Sequence, residues 1–391
     1  MNRAQEEGRF HTGHVASIAA GHAVHDTYTA FLPPLLPSFI QKLLLSKTEA
    51  GALSVFLTLP TLFQPVIGRL ADRTGLRYVV VAAPSATAAM MCLLGIAPAY
   101  GALVLLLMLA GISNTAFHAV APATIGALSG RRIGRGMGFW MLGGELGRTL
   151  GPVVIVSVVG VLSLRGMPWL MAGGFLASFV LYVCLRNVGE RAEGQTRNLV
   201  SWRSVLRDMR PVMVPLAGVI TVRAFMLSSL TLYLPTFLTE QGVGLWYAGA
   251  ALTVLEAAGV AGALSGGWIS DRMGRKQVIA ASLLATPVLM FAFLWVDGWL
   301  RFLLLPVLGL VGLCTGPVVM AVVLENFPEH RAFANGIYML MANAIRSGVV
   351  LLIGAMGDFW GLWLTFAGCA ALMLLGSPLV LLLPERQQPM R

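Results

Sequence analysis

Residues 68–77 read GRLADRTGLR, and 199 positions later residues 267–276 read GWISDRMGRK. Gly68, Asp72, Arg73 and Gly75 answer Gly267, Asp271, Arg272 and Gly274 at unchanged spacing. Each copy follows an apolar run long enough to cross a bilayer, which takes about 20 residues, so each is a short polar turn at a helix end. Two further pairs keep nearly the same offset. Gly138-Phe-Trp-Met141-Leu142 with Arg148 returns as Gly336-Ile-Tyr-Met339-Leu340 with Arg346, and Phe31-Leu32-Pro33 returns as Tyr233-Leu234-Pro235. Three matches in order mark an internal duplication. Duplicated sets of spans are a design for secondary transport, with substrate held near mid-membrane.

Composition supports the membrane setting. Of 391 residues, 57% are hydrophobic and only 11% charged, and mean hydropathy is +0.79. Soluble chains carry about a quarter charged residues. The 44 glycines and 20 prolines sit inside apolar runs, where membrane helices tolerate them. The first residues, MNRAQEEGRF, are polar, and the apolar stretch behind them is too long for the core of a signal peptide, so the first helix is expected to stay. Cys92, Cys184, Cys314 and Cys369 lie singly within apolar runs and read as small packing residues.

Apolar runs place spans near 13–36, 49–69, 78–97, 101–128, 136–160, 167–186, 212–238, 246–269, 277–296, 300–324, 332–356 and 361–383. The expected fold is an all-α integral membrane protein of twelve transmembrane helices in two pseudo-symmetric six-helix bundles. The expected boundaries are 1–186 for the first bundle, 187–210 for a cytoplasmic linker and 211–391 for the second. The linker is the one long polar segment; it reads as a flexible tether or as an amphipathic helix using Trp202, Val205, Leu206 and Met209.

Basic residues orient the chain. The N-terminus, the even-numbered loops and the C-terminus hold 20 of the 27 lysines and arginines. The odd-numbered loops hold Lys42, Lys47, Arg165 and Arg301, so both termini are expected in the cytoplasm of a bacterial inner-membrane protein. The net charge of +10 thus belongs to loops beside the membrane, which argues against a nucleic-acid partner. Arg148, Arg223 and Arg346 are left inside spans.

The two GxxxDRxG turns resemble the loop signature of the major facilitator superfamily. That resemblance implies gating roles for Gly68, Asp72, Arg73, Gly267, Asp271 and Arg272, with the aspartates as latches and not as substrate ligands. In the fifth span Gly138, Gly147, Gly151 and Pro152 resemble the antiporter motif of the superfamily's drug–proton exchangers, although Ile155 and Val156 stand where a closing Gly-Gly is expected. Small residues allow close helix approach, and proline bends the helix, so ordinary helix packing explains the same residues. GHAVHDTYTAFLPPLLP, FQPVIGRLADR, SNTAFHAVAPATIGAL, MLGGELGRTLGPVV and LENFPEHRAFANGIY together resemble the fosmidomycin-resistance branch, bacterial exporters of drugs and small organic anions. After Phe117-His118 that branch usually shows Pro-Glu, where this chain has Ala119-Val120.

Charges near mid-membrane are costly and read as functional. Asp26, Glu145, Arg148, Arg223, Glu256 and Arg346 all fall roughly 10–13 residues from a span end, which at about 1.5 Å per residue puts three acids and three bases at one depth. Asp26, beside His22 and His25, is the expected proton-coupling carboxylate, with Glu145 and Glu256 as further candidates; a structural ion pair is the other reading. Glu145 can pair with Arg148 along one helix face. By the resemblance, Glu256 lies in a span that faces the fifth, which would make a clasp between the halves. Arg148 and Arg346, at equivalent positions of the two repeats, suit a phosphonate, phosphate or carboxylate, or serve only to lock the halves. Arg223 is read as an arginine near Asp26 that holds it charged and, with Arg346, as a candidate for binding the anion. Tyr28, His118 and Asn114 join them as candidate substrate contacts.

His22, His25, Asp26 and His118 are metal-ligand types at helical spacing, but a proton relay explains them as well, and no metal or cofactor is expected. No HExxH, GxSxG or nucleotide-phosphate loop occurs, so the chain is not read as an enzyme. The expected function is a monomeric proton-coupled exporter of drug-like or small organic-anion substrates by alternating access. The alternative is a proton symporter importing an organic anion or a metal complex.

Overall fold

The computed structural model describes residues 10–64, 66–67, 77–130, 132–186, 202–327 and 331–383. Among these the structure is helical, with no strand. In lipid a helix satisfies its backbone polar groups internally, which an open sheet cannot do. The α-helices are α1 Thr12–Thr29, α2 Leu32–Leu43, α3 Lys47–Thr58, α4 Arg77–Leu93, α5 Tyr100–Leu128, α6 Ile133–Leu162 and α7 Met171–Leu185. They continue as α8 Trp202–Ser228, α9 Leu234–Glu240, α10 Leu245–Met273, α11 Arg275–Trp295, α12 Trp299–Leu313, α13 Thr315–Asn326 and α14 Arg331–Gly376.

By length and composition nine candidate spans lie among the described residues, not twelve. Part of the second expected span lies outside the described residues, and the last candidate covers the eleventh and twelfth expected spans together. The first expected span is broken between α1 and α2, just ahead of Pro33-Pro34. Proline lacks an N–H and crowds the preceding turn, so the helix ends there. The equivalent place in the second repeat is a π-helical turn, Ser229–Tyr233, ahead of Pro235. Both repeats thus interrupt their first helix at the matched Leu-Pro. The final candidate span, Ala334–Leu382, is 49 residues long and turns at Gly361, whose φ of 77° is open to glycine and strained for other residues.

The described residues fall into two compact units. The first takes those of Met1–Ser38 and Leu53–Thr196, the second those of Phe39–Ala52 and Arg197–Arg391. In the first unit α1 packs against α4, α5, α6 and α7, around a core that includes Ile18, Val80, Phe117, Ile125, Trp140 and Leu181. Gly147 and Gly151 of α6 meet α1 so closely that an added Cβ on either would stand under 3 Å from Thr27 or its neighbours. Gly138 meets nothing within 4 Å. Of the three motif glycines, two sit where helices touch closely and the third has open space for a Cβ.

In the second unit α8 packs on α14, α10 on α12, and α11 on α12, α13 and α14. The segment 39–52 is tied in by polar contacts. Asp358 accepts hydrogen bonds from the Lys47 N–H at 2.6 Å, the Thr48 N–H at 3.0 Å and the Thr48 hydroxyl at 2.6 Å. The two N–H groups are orphan donors of the first turn of α3, where a carboxylate also meets the positive end of the helix dipole. Lys47 Nζ lies 3.0 Å from Glu240, and the Tyr233 hydroxyl reaches the Lys47 and Val350 carbonyls. Arg301, read as a loop residue, is instead buried in the first turn of α12, bonded to the Val296 carbonyl and Asp297.

The end of the expected linker is helical, since α8 begins at Trp202 and runs on unbroken to Ser228. Residues 187–201 of that linker lie outside the described residues, as do Gly68, Asp72 and Arg73.

Candidate functional site

Asp26 sits on α1 with a side chain 6% exposed. The helix period puts His22 one turn before it, and His22 Nε2 approaches Asp26 Oδ2 to 3.2 Å. His25 Nδ1 lies 3.0 Å from Asp26 Oδ1. From α5, His118 Nε2 comes within 3.2 Å of His22 Nε2 and 3.8 Å of Asp26 Oδ1. Four residues picked from two apolar runs thus form one cluster.

The outward-facing nitrogens of two rings are fixed by carbonyls. His22 Nδ1 is 2.9 Å from the Trp140 carbonyl, and His118 Nδ1 is 3.0 Å from that of Asn114. A carbonyl only accepts, so each Nδ1 carries hydrogen and each Nε2 presents a lone pair in the neutral ring. Three acceptors therefore converge: His22 Nε2, His118 Nε2 and Asp26 Oδ2. They repel one another unless a proton or another cation sits among them. His25 continues the chain of contacts outward, with Nε2 3.0 Å from the Thr87 hydroxyl, which lies 2.9 Å from Ser113 Oγ.

Aromatic rings hold the imidazoles in place. His22 stacks on Trp140 with centroids 3.5 Å apart, and His25 stacks on Phe117 at 4.4 Å. Gly144 of α6 makes room beside the cluster, because a Cβ there would lie 2.6 Å from His22 Cε1 and 3.3 Å from Asp26 Oδ2. His25 is fully buried, and only His118, with a side chain 31% exposed, offers a way in.

The second unit carries the opposite chemistry. Arg223 of α8 is buried at 9% exposure, and its Nε donates to the Thr315 hydroxyl of α13 at 2.5 Å. Among the described residues no carboxylate lies within ion-pair distance of it. A guanidinium carries five N–H donors, and a buried charge without a counter-ion costs several kcal/mol.

The remaining candidates sit on α1, α5, α6, α10 and α14. Arg148, with its side chain half exposed, pairs with Glu145 three residues back on α6. Glu256 on α10 is half-buried, and Arg346 on α14 is exposed. Tyr28 is committed inside the first unit, where its hydroxyl donates to the Leu170 carbonyl at 2.5 Å. Asn114 takes part through its main-chain oxygen.

In the second copy of the repeated turn the hub is Arg275, which the sequence reading did not single out. It bonds Asp271 at 2.5 Å, Glu325 of α13 at 2.9 Å and Ser270 Oγ. Arg272 lies over the Trp268 ring at 3.5 Å. Trp140, Thr87, Ser113, Gly144 and Thr315 were also missed. Each is an ordinary residue in an apolar run and acquires meaning only from the helix opposite.

Comparison with known proteins agrees with this architecture. The family model for the Major Facilitator Superfamily matches residues 18–316 and 257–391. The fosmidomycin resistance protein of Escherichia coli (strain K12) is 23% identical over 386 residues, spanning 96% of this chain and 93% of that one. The uncharacterized MFS-type transporter YfnC of Bacillus subtilis (strain 168) is 23% identical over 377 residues, with 94% and 91% covered. Among solved structures, a D-xylose–proton symporter superposes with a TM-score of 0.75 at 17% identity, over 97% of this chain and 99% of the other. A bacterial homolog of the human lysosomal transporter Spinster gives 0.75 at 14% identity, over 94% of each. An all-helical duplicated fold, apolar spans and a family match along nearly the whole sequence lead to one assignment: the chain belongs to the Major Facilitator Superfamily and is a multi-pass membrane transporter.

Proposed function

We propose that this transporter couples proton movement to export of a small organic anion across a bacterial inner membrane, with both termini in the cytoplasm. The observation that carries the reading is the pair of unmet charges. The acceptors around Asp26 need a cation, and the guanidinium of Arg223 needs an anion. In this reading a proton shared by Asp26, His22 and His118 is the coupling ion, with His25, Thr87 and Ser113 as its polar continuation. Arg223 binds the negative group of the substrate, and Arg148 and Arg346 are secondary positions for it. Glu145 and Glu256 are further candidate coupling carboxylates, and the turns at Asp72 and Asp271 govern switching between states.

Resistance to fosmidomycin, a phosphonate, is what the name of the Escherichia coli relative records, and a phosphonate suits the planar fork of arginine. Fosmidomycin is therefore the first probe. Protein is reconstituted into liposomes and a pH step is imposed. Antiport predicts accumulation when the lumen is acid, because protons leave as substrate enters. Symport predicts accumulation when the outside is acid. Equal uptake with and without a step, for fosmidomycin and for a panel of carboxylates, would overturn proton coupling.

A further inference from the structure

The cluster on α1 and α5 has the features of a metal site as well as of a proton site, and we infer that His22, His118 and Asp26 bind one divalent transition cation. This rests on the geometry of the cluster and not on the coupling mechanism.

Ligand type and spacing come first. Two imidazole nitrogens and a carboxylate suit zinc and its first-row neighbours. With bonds of about 2.0–2.1 Å, tetrahedral coordination sets ligand atoms about 3.3 Å apart. The observed separations are 3.2 Å from His22 Nε2 to His118 Nε2, and 3.2 Å from His22 Nε2 to Asp26 Oδ2. His118 Nε2 lies 3.8 Å from the opposite Asp26 oxygen, Oδ1. All three ligand groups fall within 4.8 Å of one another. One shared proton joins two acceptor atoms, whereas here three converge.

The surroundings complete the case. Metal-bound imidazoles characteristically donate their other N–H to a carbonyl or carboxylate, which fixes ring and tautomer. Both rings do so here, to Trp140 and Asn114. Asp26 is steadied by His25 on its other oxygen. Three protein ligands leave a fourth position open, on the side where His118 is accessible. A bound ion would displace the shared proton from the same two lone pairs, so metal and proton compete.

The test uses untagged protein in detergent, stripped with chelator, because a histidine tag would bind the probe itself. Zn²⁺ is titrated against a chromophoric chelator, and Co²⁺ is added to a parallel sample to read its visible spectrum. The expected result is one equivalent per chain and an intense tetrahedral Co²⁺ spectrum that Zn²⁺ abolishes. His118→Ala should weaken Zn²⁺ binding at least tenfold. So should Gly144→Ala, which keeps every ligand but pushes a methyl against His22. The double variant His11→Ala/His14→Ala, which removes the neighbouring surface imidazoles, should bind as the parent does. No binding, an octahedral or absent Co²⁺ spectrum, or binding lost only in the surface double variant would overturn the inference. Should Gly144→Ala not fold, His118→Ala and the Co²⁺ spectrum of the unaltered protein still decide. Binding is read without a gradient, so its failure leaves proton coupling standing, and a failure of coupling leaves the binding result intact.

Discussion

The two repeats place opposite chemistry on matched helix pairs. Shifted back by the 199-residue repeat, Arg223 and Thr315 fall at positions 24 and 116, each two residues from Asp26 and His118. In the first unit the α1–α5 pair carries a carboxylate and imidazoles, a set of acceptors lacking a cation. In the second the α8–α13 pair carries a guanidinium and one hydroxyl, a set of donors lacking an anion. Duplication supplied a scaffold, and substitution gave each copy a different deficit. The proposed exchange of a cation for an anionic cargo would use such a division, because one site can then respond to pH while the other holds substrate.

The comparison is open to attack from several directions. The largest effect is expected at Arg223. Replacement by Gln should weaken equilibrium binding of the phosphonate probe by about 1–3 kcal/mol, one to two decades. Arg223→Lys should recover only part of that, since it keeps the charge but loses the fork. If Arg223→Gln binds the probe as the parent does, the anion half of the comparison fails.

Helix packing sharpens it next. Gly147→Ala pushes a methyl toward the α1 backbone beside Asp26 and should cost about 1–3 kcal/mol of stability, as overpacking does. Gly138→Ala should be neutral, because nothing lies within 4 Å. Thermal unfolding of both purified variants checks this, and equal midpoints would remove the packing role of the motif.

Arg275→Gln should slow transport severalfold while leaving probe affinity within a factor of two or so, given that its loss breaks partly exposed bonds worth about 1–2 kcal/mol together. Uptake rates set against equilibrium binding separate the two. Arg148→Gln should have the smallest effect. Its pair with Glu145 is half exposed and worth about 0–1 kcal/mol, so probe binding should change less than threefold in the same titration.

Much of this was legible in the sequence, for one physical reason. A charge in an apolar run is expensive, so Asp26, Arg223 and the histidines announced themselves. The repeat was legible because turns demand glycine at fixed spacing. The partners were not. Nothing in the strings around Trp140 or Asn114 says that a main-chain carbonyl there will orient an imidazole on another helix. Thr87, Ser113 and Thr315 look like tolerated small polar residues until packing brings a ring or guanidinium to them. Arg275 read as one more basic loop residue, and only the folded turn shows it joining Asp271 to Glu325. The break at Gly361 falls where the eleventh and twelfth expected spans meet, whereas the interruption ahead of Pro33 comes from backbone chemistry that hydropathy does not weigh.

The central claim is that the acid–imidazole cluster handles the cation and the guanidinium handles the anion. Asp26→Asn tests it most directly when two quantities are measured on one preparation: equilibrium binding of the phosphonate probe in detergent, and its accumulation in liposomes driven only by a pH step. The account predicts that Asp26→Asn binds the probe within about threefold of the parent (under roughly 0.7 kcal/mol) yet fails to accumulate it above the no-gradient level. Accumulation that persists in Asp26→Asn would contradict the account, because the coupling proton would then reside elsewhere.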